Sequence, residues 1–223
     1  MTDTPLEPPI EDVLEILKAV HGEPDVDDEP DDILATLISS ILSQATNGHN
    51  AAQAFGTLLD TYEGDWARVA HAPVDAVAQA ISVGGLSKQK APRIQSILQQ
   101  AHQMYGDYTL EPLHDMTPED AHDVLIQMPG VGPKTASFVL MRAARMPFFA
   151  INTHILRLCA RLGWTEPGWS NAKAHKAMLK HIPAGQHDSA HVILIEHGTT
   201  TCHKRAPRCA TCVLAHLCPS HQV

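Results

Sequence analysis

The segment LIQMPGVGPKTA, residues 125–136, constrains the fold of this chain more than any other feature. Pro129 favours the end of a helix, while Gly130 and Gly132 allow positive φ angles and a close backbone approach. Pro133 suits the first position of a new helix. The segment therefore predicts a tight hairpin between two helices. Its free N–H groups and the positive end of the second helix form a site suited to a phosphodiester.

Lys134 is predicted to lie in the first turn of that second helix, where the helix dipole opposes its ammonium form. Apolar surroundings would favour the neutral amine further, and a neutral lysine amine is a nucleophile. A Schiff base between Lys134 and a sugar aldehyde therefore becomes possible.

Four cysteines near the C-terminus have six, two and five residues between them: Cys202, Cys209, Cys212 and Cys218. Four thiolates in so short a segment predict one compact metal site. Structural zinc sites more often contain two separated pairs of ligands, so zinc, an iron–sulfur cluster and disulfides are alternatives at this point. The sequence contains neither a signal peptide nor an apolar run of about 18 residues, so we expect a cytoplasmic protein without a membrane span.

Apolar residues recur with helical spacing, and alternation typical of strands is almost absent. Separate stripes are predicted at 10–17, 33–42, 52–59, 94–104, 121–128 and 135–145. Clusters of proline and glycine separate these stripes. Hydrophobic residues make up 44% of the chain, enough for a sizeable core. The fold class predicted from this pattern is all α.

A net charge of −9 opposes binding to a nucleic acid, but the distribution of charge along the chain removes that objection. Residues 1–32 hold twelve acidic residues and only one basic residue, Lys18. From Lys134 onward, the chain contains eleven basic and three acidic residues. This basic half contains the hairpin lysine and the cysteine segment, which is consistent with a DNA-contacting surface. The acidic run at 23–32 is expected to face solvent.

The hairpin with Lys134, the segment INTHI at 151–155 and the cysteine spacing together resemble the helix-hairpin-helix DNA glycosylases, in particular the endonuclease III group of glycosylases and abasic-site lyases. The resemblance covers nearly the whole chain. It implies a two-lobed all-α fold, with a six-helix barrel lobe at 29–146 and a cluster lobe formed by 1–28 with 147–223. It also implies a [4Fe–4S] cluster held by the four cysteines.

Lys134 matches the family lysine that attacks the sugar, but Asn152 stands where the family has an aspartate. A carboxylate about 4 Å from a developing positive charge contributes roughly 4 kcal/mol at an effective dielectric of about 20. Its loss would slow base excision about a thousandfold, whereas attack on an existing abasic site would suffer less. Asp123 and Glu196 are the candidates for a replacement carboxylate. The resemblance also implies that the hairpin and Asn152 meet at a cleft between the two lobes.

The resemblance also implies residues that contact DNA. SQATN at 43–47 places Gln44 where the family fills the emptied duplex position, and GGL at 84–86 supplies Leu86 as an apolar wedge. Without the family, Gln44 is an ordinary polar residue and Leu86 a packing anchor. Asn47 replaces a second family aspartate. The remaining predicted contacts are the hairpin residues Gly130, Val131 and Gly132 and the loop residues Lys204, Arg205 and Arg208.

The three loop cations have a second interpretation, because they would also balance an anionic cluster. The predicted function is excision of damaged, oxidised pyrimidines from duplex DNA, with a Schiff base at Lys134 and β-elimination at the abasic site. Asn152 predicts weak or altered excision. The alternative is a catalytically impaired protein of the same fold that binds DNA lesions. We expect a monomer that associates with the nucleoid when bound to DNA.

Overall fold

A computed structural model of the chain describes residues 8–24, 32–183 and 185–221. These residues form helices, turns and loops without a strand, which confirms the all-α prediction. The chain divides into two compact units, a middle unit at 29–146 and a terminal unit formed by 1–28 and 147–223. Most of the acidic run, residues 25–31, lies outside the described ranges. No helix in those ranges combines the length and apolar character needed to cross a membrane.

The described part of the chain contains eleven α-helices: α1 (Ile10–His21), α2 (Ile33–Ser43), α3 (Gly48–Tyr62), α4 (Trp66–His71), α5 (Val74–Ala80), α6 (Ser87–Tyr105), α7 (Pro118–Ile126), α8 (Pro133–Arg142), α9 (Thr153–Arg161), α10 (Asn171–Met178) and α11 (His187–Thr200). Short 3-10 turns lie at Ser82–Gly84, Glu111–Asp115 and Cys209–Thr211.

Helix α2 lies at the centre of the middle unit. Six of its apolar side chains are fully buried: Ile33, Leu34, Leu37, Ile38, Ile41 and Leu42. The helix contacts α3, α6 and α8, as expected for a helix that is apolar on several sides. Asp32 caps its N-terminus by accepting a hydrogen bond from the Ala35 backbone N–H at 2.6 Å. The apolar spacing and the preceding acidic residue together account for this helix.

The terminal unit is built around α11, which packs against α1 and α9. The apolar stripe of α1 is buried through Ile10, Val13, Leu14 and Leu17. Before this helix, the Pro8 carbonyl accepts a hydrogen bond from the Trp164 indole N–H at 2.7 Å. The first segment of the unit is thereby attached to residues far along the chain.

Three predicted stripe limits were wrong. In α3 the buried positions are Ala51, Ala54, Leu58 and Tyr62, because the inner face lies one residue away from the predicted one. Met104, at the end of the fourth stripe, is 46% exposed. Helix α8 ends at Arg142, not Arg145, since Arg145 has a φ of 53° that does not continue a right-handed helix.

Candidate nucleic-acid interface and cysteine site

The hairpin lies between α7 and α8 in the middle unit. Gly130 has a φ of 78°, in the region that favours glycine, and the Val131 N–H donates to the Met128 carbonyl at 3.1 Å. Gly132 does not use the positive φ that glycine allows, because this residue is the extended N-cap of α8 with a φ of −100°. A Cβ on Gly132 would meet no described atom within 4 Å, so the space beside the helix N-terminus is open. Val131 is buried and anchors the turn.

The N-terminus of α8 offers unused hydrogen-bond donors. Within the ranges that the structure describes, the backbone N–H groups of Gly132, Lys134 and Thr135 have no acceptor. Pro133 has no N–H, so its place at the first helical position leaves no further donor unsatisfied. Three free donors at the positive end of a ten-residue helix favour an anion.

Lys134 is the second residue of α8, and its side chain is exposed. Its ammonium makes no ion pair or hydrogen bond with any described residue. The amine is therefore accessible next to the free N–H groups of the hairpin. An exposed lysine amine and three free backbone donors thus lie within one helical turn.

Gln44 and Leu86 each flank a helix of the middle unit. Gln44 follows α2, and its side-chain N–H donates to the Gly130 carbonyl of the hairpin at 3.1 Å. Leu86 precedes α6 with a φ of 50° and is 50% exposed. A leucine in this left-handed conformation costs roughly 1–2 kcal/mol, and this one recovers only part of that by burial. Half-exposure argues against a simple packing role for Leu86.

Asn152 lies in the terminal unit as the N-cap of α9. Its side-chain oxygen accepts hydrogen bonds from the backbone N–H groups of His154 at 2.8 Å and Ile155 at 2.9 Å. The cap fixes the orientation of the carboxamide at the positive end of the helix. Of the two candidate replacement carboxylates, Glu196 is exposed on α11 of this unit and Asp123 is exposed on α7 of the middle unit.

The four C-terminal cysteines line a single cavity of about 440 Å³. All of them are free, so the disulfide alternative was wrong in this structure. Burial raises the pKa of the Cys212 and Cys218 thiols, and the neighbouring thiols raise it further. In the described ranges, no group of three or more His, Cys, Asp or Glu side chains could hold a metal ion as the side chains stand. The thiols therefore share a cavity but do not converge on one point.

Two arginines on α9, one turn apart, bind the chain that carries the first cysteine. Arg161 donates to the Cys202 sulfur at 3.1 Å and to the His203 carbonyl at 2.7 Å. Arg157 donates to the Cys202 carbonyl at 3.0 Å and to the Gly198 carbonyl at 2.7 Å. These bonds attach the cysteine segment to α9, the helix that Asn152 caps.

A pair of histidines, His21 and His197, lies beside Cys212. The His197 Nε2 lies 3.6 Å from the Cys212 sulfur, and its Nδ1 lies 3.3 Å from Nε2 of His21. Burial, and then the nearby His21, lowers the pKa of His197 to about 4. His197 is therefore neutral near pH 7 and carries one ring N–H.

The predicted loop cations Lys204, Arg205 and Arg208 are all exposed. The loop closes through a hydrogen bond from the Arg208 N–H to the Thr201 carbonyl at 3.0 Å. Since Arg161 also fixes the carbonyl of His203, the backbone of this loop is held while its charged ends reach solvent. The arrangement suits contacts with phosphates without a large ordering cost.

Comparison with known proteins gives the family. Residues 38–184 match the model of the HhH-GPD superfamily base excision DNA repair proteins. The chain belongs to this family. It is 31% identical over 170 residues to a putative DNA glycosylase of Arabidopsis thaliana, covering 76% of this chain and 58% of the plant protein. It is 30% identical over 187 residues to endonuclease III of Sulfolobus acidocaldarius, covering 83% of this chain and 81% of that protein.

The chain thus spans less than two thirds of the plant relative but most of the archaeal one. Among solved structures, a trapped endonuclease III–DNA covalent intermediate matches with a TM-score of 0.77 and 27% identity, covering 95% of both chains. These matches confirm the resemblance to endonuclease III-like members of the HhH-GPD family and the helix-hairpin-helix glycosylase fold.

Asn47 and Asn152, the two positions where an aspartate is expected from the resemblance, both cap helices. Asn47 is the N-cap of α3, and its side-chain oxygen accepts from the Asn50 N–H at 2.9 Å. Asparagine and aspartate are nearly equivalent as N-caps. At both positions asparagine therefore makes the cap hydrogen bonds that an aspartate could make, without the negative charge.

Sequence reasoning missed several residues that shape these HhH-GPD sites. Arg157 and Arg161 have helical spacing, which was the available signal, but their contacts join residues over 40 positions apart. His197 gave no signal among fifteen histidines. Lys90 is 1% exposed, although lysines in helices are usually at the surface. Cys159 on α9 is a buried thiol, and burial raises its pKa to about 12.

Proposed function

We propose that this protein is an endonuclease III-like DNA glycosylase and abasic-site lyase acting on duplex DNA with damaged bases or abasic sites. The observation that carries the proposal is an exposed amine, Lys134, in the first turn of a helix with free N–H donors. The family match supports base excision as the general reaction. The similar structure of a trapped covalent endonuclease III–DNA intermediate supports a covalent mechanism.

DNA binding would begin with a backbone phosphate at the hairpin. The N–H groups of Gly132, Lys134 and Thr135 would donate to its oxygens, with the dipole of α8 favouring the negative charge. The open space beside Gly132 allows close approach of the phosphate. Lys204, Arg205 and Arg208 would contact further phosphates.

The damaged nucleotide must leave the duplex stack before its sugar can react. Leu86 would enter between base steps as an apolar wedge, and Gln44 would fill the emptied position with its carboxamide. The exposure of Leu86 leaves apolar surface available for insertion. Gln44 would have to exchange its hydrogen bond to Gly130 for one to the opposite base.

The lysine chemistry then has two steps. The Lys134 nitrogen attacks the sugar C1′, so a nitrogen–carbon bond forms while the bond from C1′ to the base breaks. The base leaves with the electron pair of that bond and takes the proton that the nitrogen loses. Ring opening gives an imine. Loss of a proton from C2′ expels the 3′ phosphate and nicks the strand. At an existing abasic site, Lys134 condenses with the aldehyde and releases water.

Asn152 limits the expulsion of a damaged base more than the reaction at an existing abasic site. A carboxamide cannot carry the negative charge that stabilises developing positive charge on the sugar. Base expulsion from an oxidised pyrimidine would therefore be slow, whereas condensation with an abasic aldehyde expels no base. We infer weak excision with a better preserved lyase activity.

The four thiols fit an iron–sulfur cluster better than a single zinc ion. Zinc would need sulfurs about 2.3 Å from one point, whereas Cys202, Cys209, Cys212 and Cys218 surround a cavity of about 440 Å³. A four-iron cluster would bind all four thiolates. The guanidinium of Arg161 would offset part of its negative charge at Cys202.

A second candidate function is lesion binding without excision. Asn152 favours it, because the same substitution that weakens excision leaves the hairpin, the wedge and the basic loop unchanged. Such a protein would bind damaged duplex preferentially without cleaving it.

Single-turnover assays would separate the two functions. The unaltered protein and Lys134→Ala would be compared on a preformed abasic duplex, an oxidised-pyrimidine duplex and undamaged DNA, with borohydride to trap the imine. We expect trapping and cleavage of the abasic duplex, both abolished by Lys134→Ala. The matched control, Lys176→Ala, removes an exposed lysine of α10 and should change neither. Retained binding without trapping by the unaltered protein would support lesion binding instead.

A further inference from the structure

Lys90 is a lysine in the interior of the middle unit. Its side chain is 1% exposed, and its ammonium donates to the Leu42 carbonyl at 2.7 Å and to the Gly84 carbonyl at 2.8 Å. Leu42 is in the last turn of α2, and Gly84 ends the 3-10 turn before α6. Carbonyls at helix ends have no partner within the helix, so one buried cation satisfies acceptors from two separate elements.

Both carbonyls lie two residues before a predicted DNA-inserting side chain. Leu42 precedes Gln44, and Gly84 precedes Leu86. The Lys90 backbone N–H also donates to the Leu86 carbonyl at 3.0 Å. A single residue therefore holds the chain on both sides of Leu86 and immediately before Gln44.

Gly84 packs closely against α2 and α3. A Cβ on Gly84 would lie 3.0 Å from the Ala54 Cβ and 3.8 Å from the Leu42 carbonyl oxygen. The next turn of α6 reaches the hairpin, because a Cβ on Gly130 would lie 3.0 Å from Cδ of Arg93. Gln44 in turn donates to Gly130. The first turns of α6 thus connect the wedge, the Gln44 segment and the hairpin.

We propose that Lys90 is a positioning residue for nucleotide extrusion, which keeps Gln44 and Leu86 at the separation needed to enter the duplex together. This role rests on the function proposed above. Burial also lowers the pKa of Lys90, and an apolar side chain of similar length would fill the same volume without the cost of burying a charge. The ammonium adds directed bonds to two backbone segments, which an apolar residue cannot make.

Lys90→Met keeps the length of the side chain and removes the two bonds. We expect cleavage of a duplex abasic site to fall by about tenfold, or ~1.4 kcal/mol, while cleavage of an abasic site in single-stranded DNA changes little. Single-stranded DNA requires no insertion into a stack, so a role in positioning predicts this difference. Lys90→Arg, which retains donors, should recover part of the duplex activity. Lys88→Met, at an exposed position on the same helix, is the control.

Extrusion itself would be followed by the fluorescence of 2-aminopurine placed beside a reduced, uncleavable abasic site. Lys90→Met should lower the fluorescence rise on binding. In a Leu86→Ala background, Lys90→Met should have a smaller effect, because the two residues act through one step. Equal losses on duplex and single-stranded DNA, or full additivity with Leu86→Ala, would overturn the proposal.

Gly84→Ala provides a test if Lys90→Met does not fold. It displaces the same segment through the contact with Ala54 while retaining Lys90, and we expect the same duplex-specific loss. Gly84→Ala with unchanged duplex cleavage and fluorescence would overturn the proposal. Absence of lyase activity from the unaltered protein on both DNA forms would instead contradict the proposed function.

Discussion

The side-chain oxygen of Asn152 accepts a hydrogen bond from the Ile155 backbone N–H at 2.9 Å. A second bond from the His154 N–H, at 2.8 Å, completes the cap of α9. A carboxylate oxygen can accept the same two bonds, and the helix dipole favours its charge. The cap therefore accommodates aspartate without rearrangement of the backbone.

Asn152→Asp is expected to increase excision of an oxidised pyrimidine by up to about a thousandfold in single-turnover assays. Cleavage at a preformed abasic site should change much less, because no base is expelled. The folding free energy should change by less than about 1 kcal/mol, because aspartate makes the same two cap hydrogen bonds.

Asn152→Ala is the control for the cap, because it removes both hydrogen bonds and should cost ~1 kcal/mol of stability without raising excision. If the unaltered protein already excises rapidly and Asn152→Asp has no effect, another group performs the role assigned to the family aspartate. Asp123 and Glu196 would then be the first positions to replace.

Leu86→Gly should separate stability from function. Glycine adopts the left-handed conformation of Leu86 without steric cost, so thermal unfolding should show unchanged or higher stability, by up to about 1 kcal/mol. Excision and 2-aminopurine fluorescence should fall because the wedge is removed. Glu63→Gly is the matched control, since Glu63 has a φ of 56° but lies at an exposed helix end. Equal excision by Leu86→Gly and the unaltered protein would remove Leu86 from the interface.

Arg161→Met should weaken the cysteine site. It removes the donors to the Cys202 sulfur and to the His203 carbonyl, bonds of a kind that contribute about 1.5–3 kcal/mol when one partner is charged. We expect less iron per chain and faster loss of visible absorption under mild oxidation. Arg68→Met, in an exposed ion pair of the middle unit, should leave both measurements unchanged. Identical iron retention in the two variants would show that Arg161 has no part in holding a cluster.

The loop cations give a salt-dependence prediction. Replacing Lys204, Arg205 and Arg208 by glutamine should weaken binding to damaged and undamaged duplexes similarly. The slope of log affinity against log salt should decrease by about 0.9 for each phosphate that the loop no longer neutralises. A fluorescence anisotropy titration at several salt concentrations would measure this slope. An unchanged slope would favour the alternative that the cations only balance a cluster.

The features predicted best from sequence are those with local causes. The apolar spacing of α2 and the acidic cap at Asp32 specify that helix, while Pro133 and Gly130 specify the hairpin. A positive φ occurs at Gly130 but not at Gly132, because glycine permits a positive φ but does not require one. The end of α8 was also predicted incorrectly, because the side chain of Arg145 gives no indication of its left-handed backbone conformation.

The sequence by itself determined the helical class, the position of Lys134 at a helix N-terminus and the grouping of four cysteines, because each depends on residues close together along the chain. Only the tertiary structure decided that Lys90 joins the Gln44 and Leu86 segments, and that Arg161 contacts Cys202. Those contacts depend on which helix faces pack together. Burial of the whole apolar surface decides which helix faces pack together, and a local sequence pattern does not contain that information.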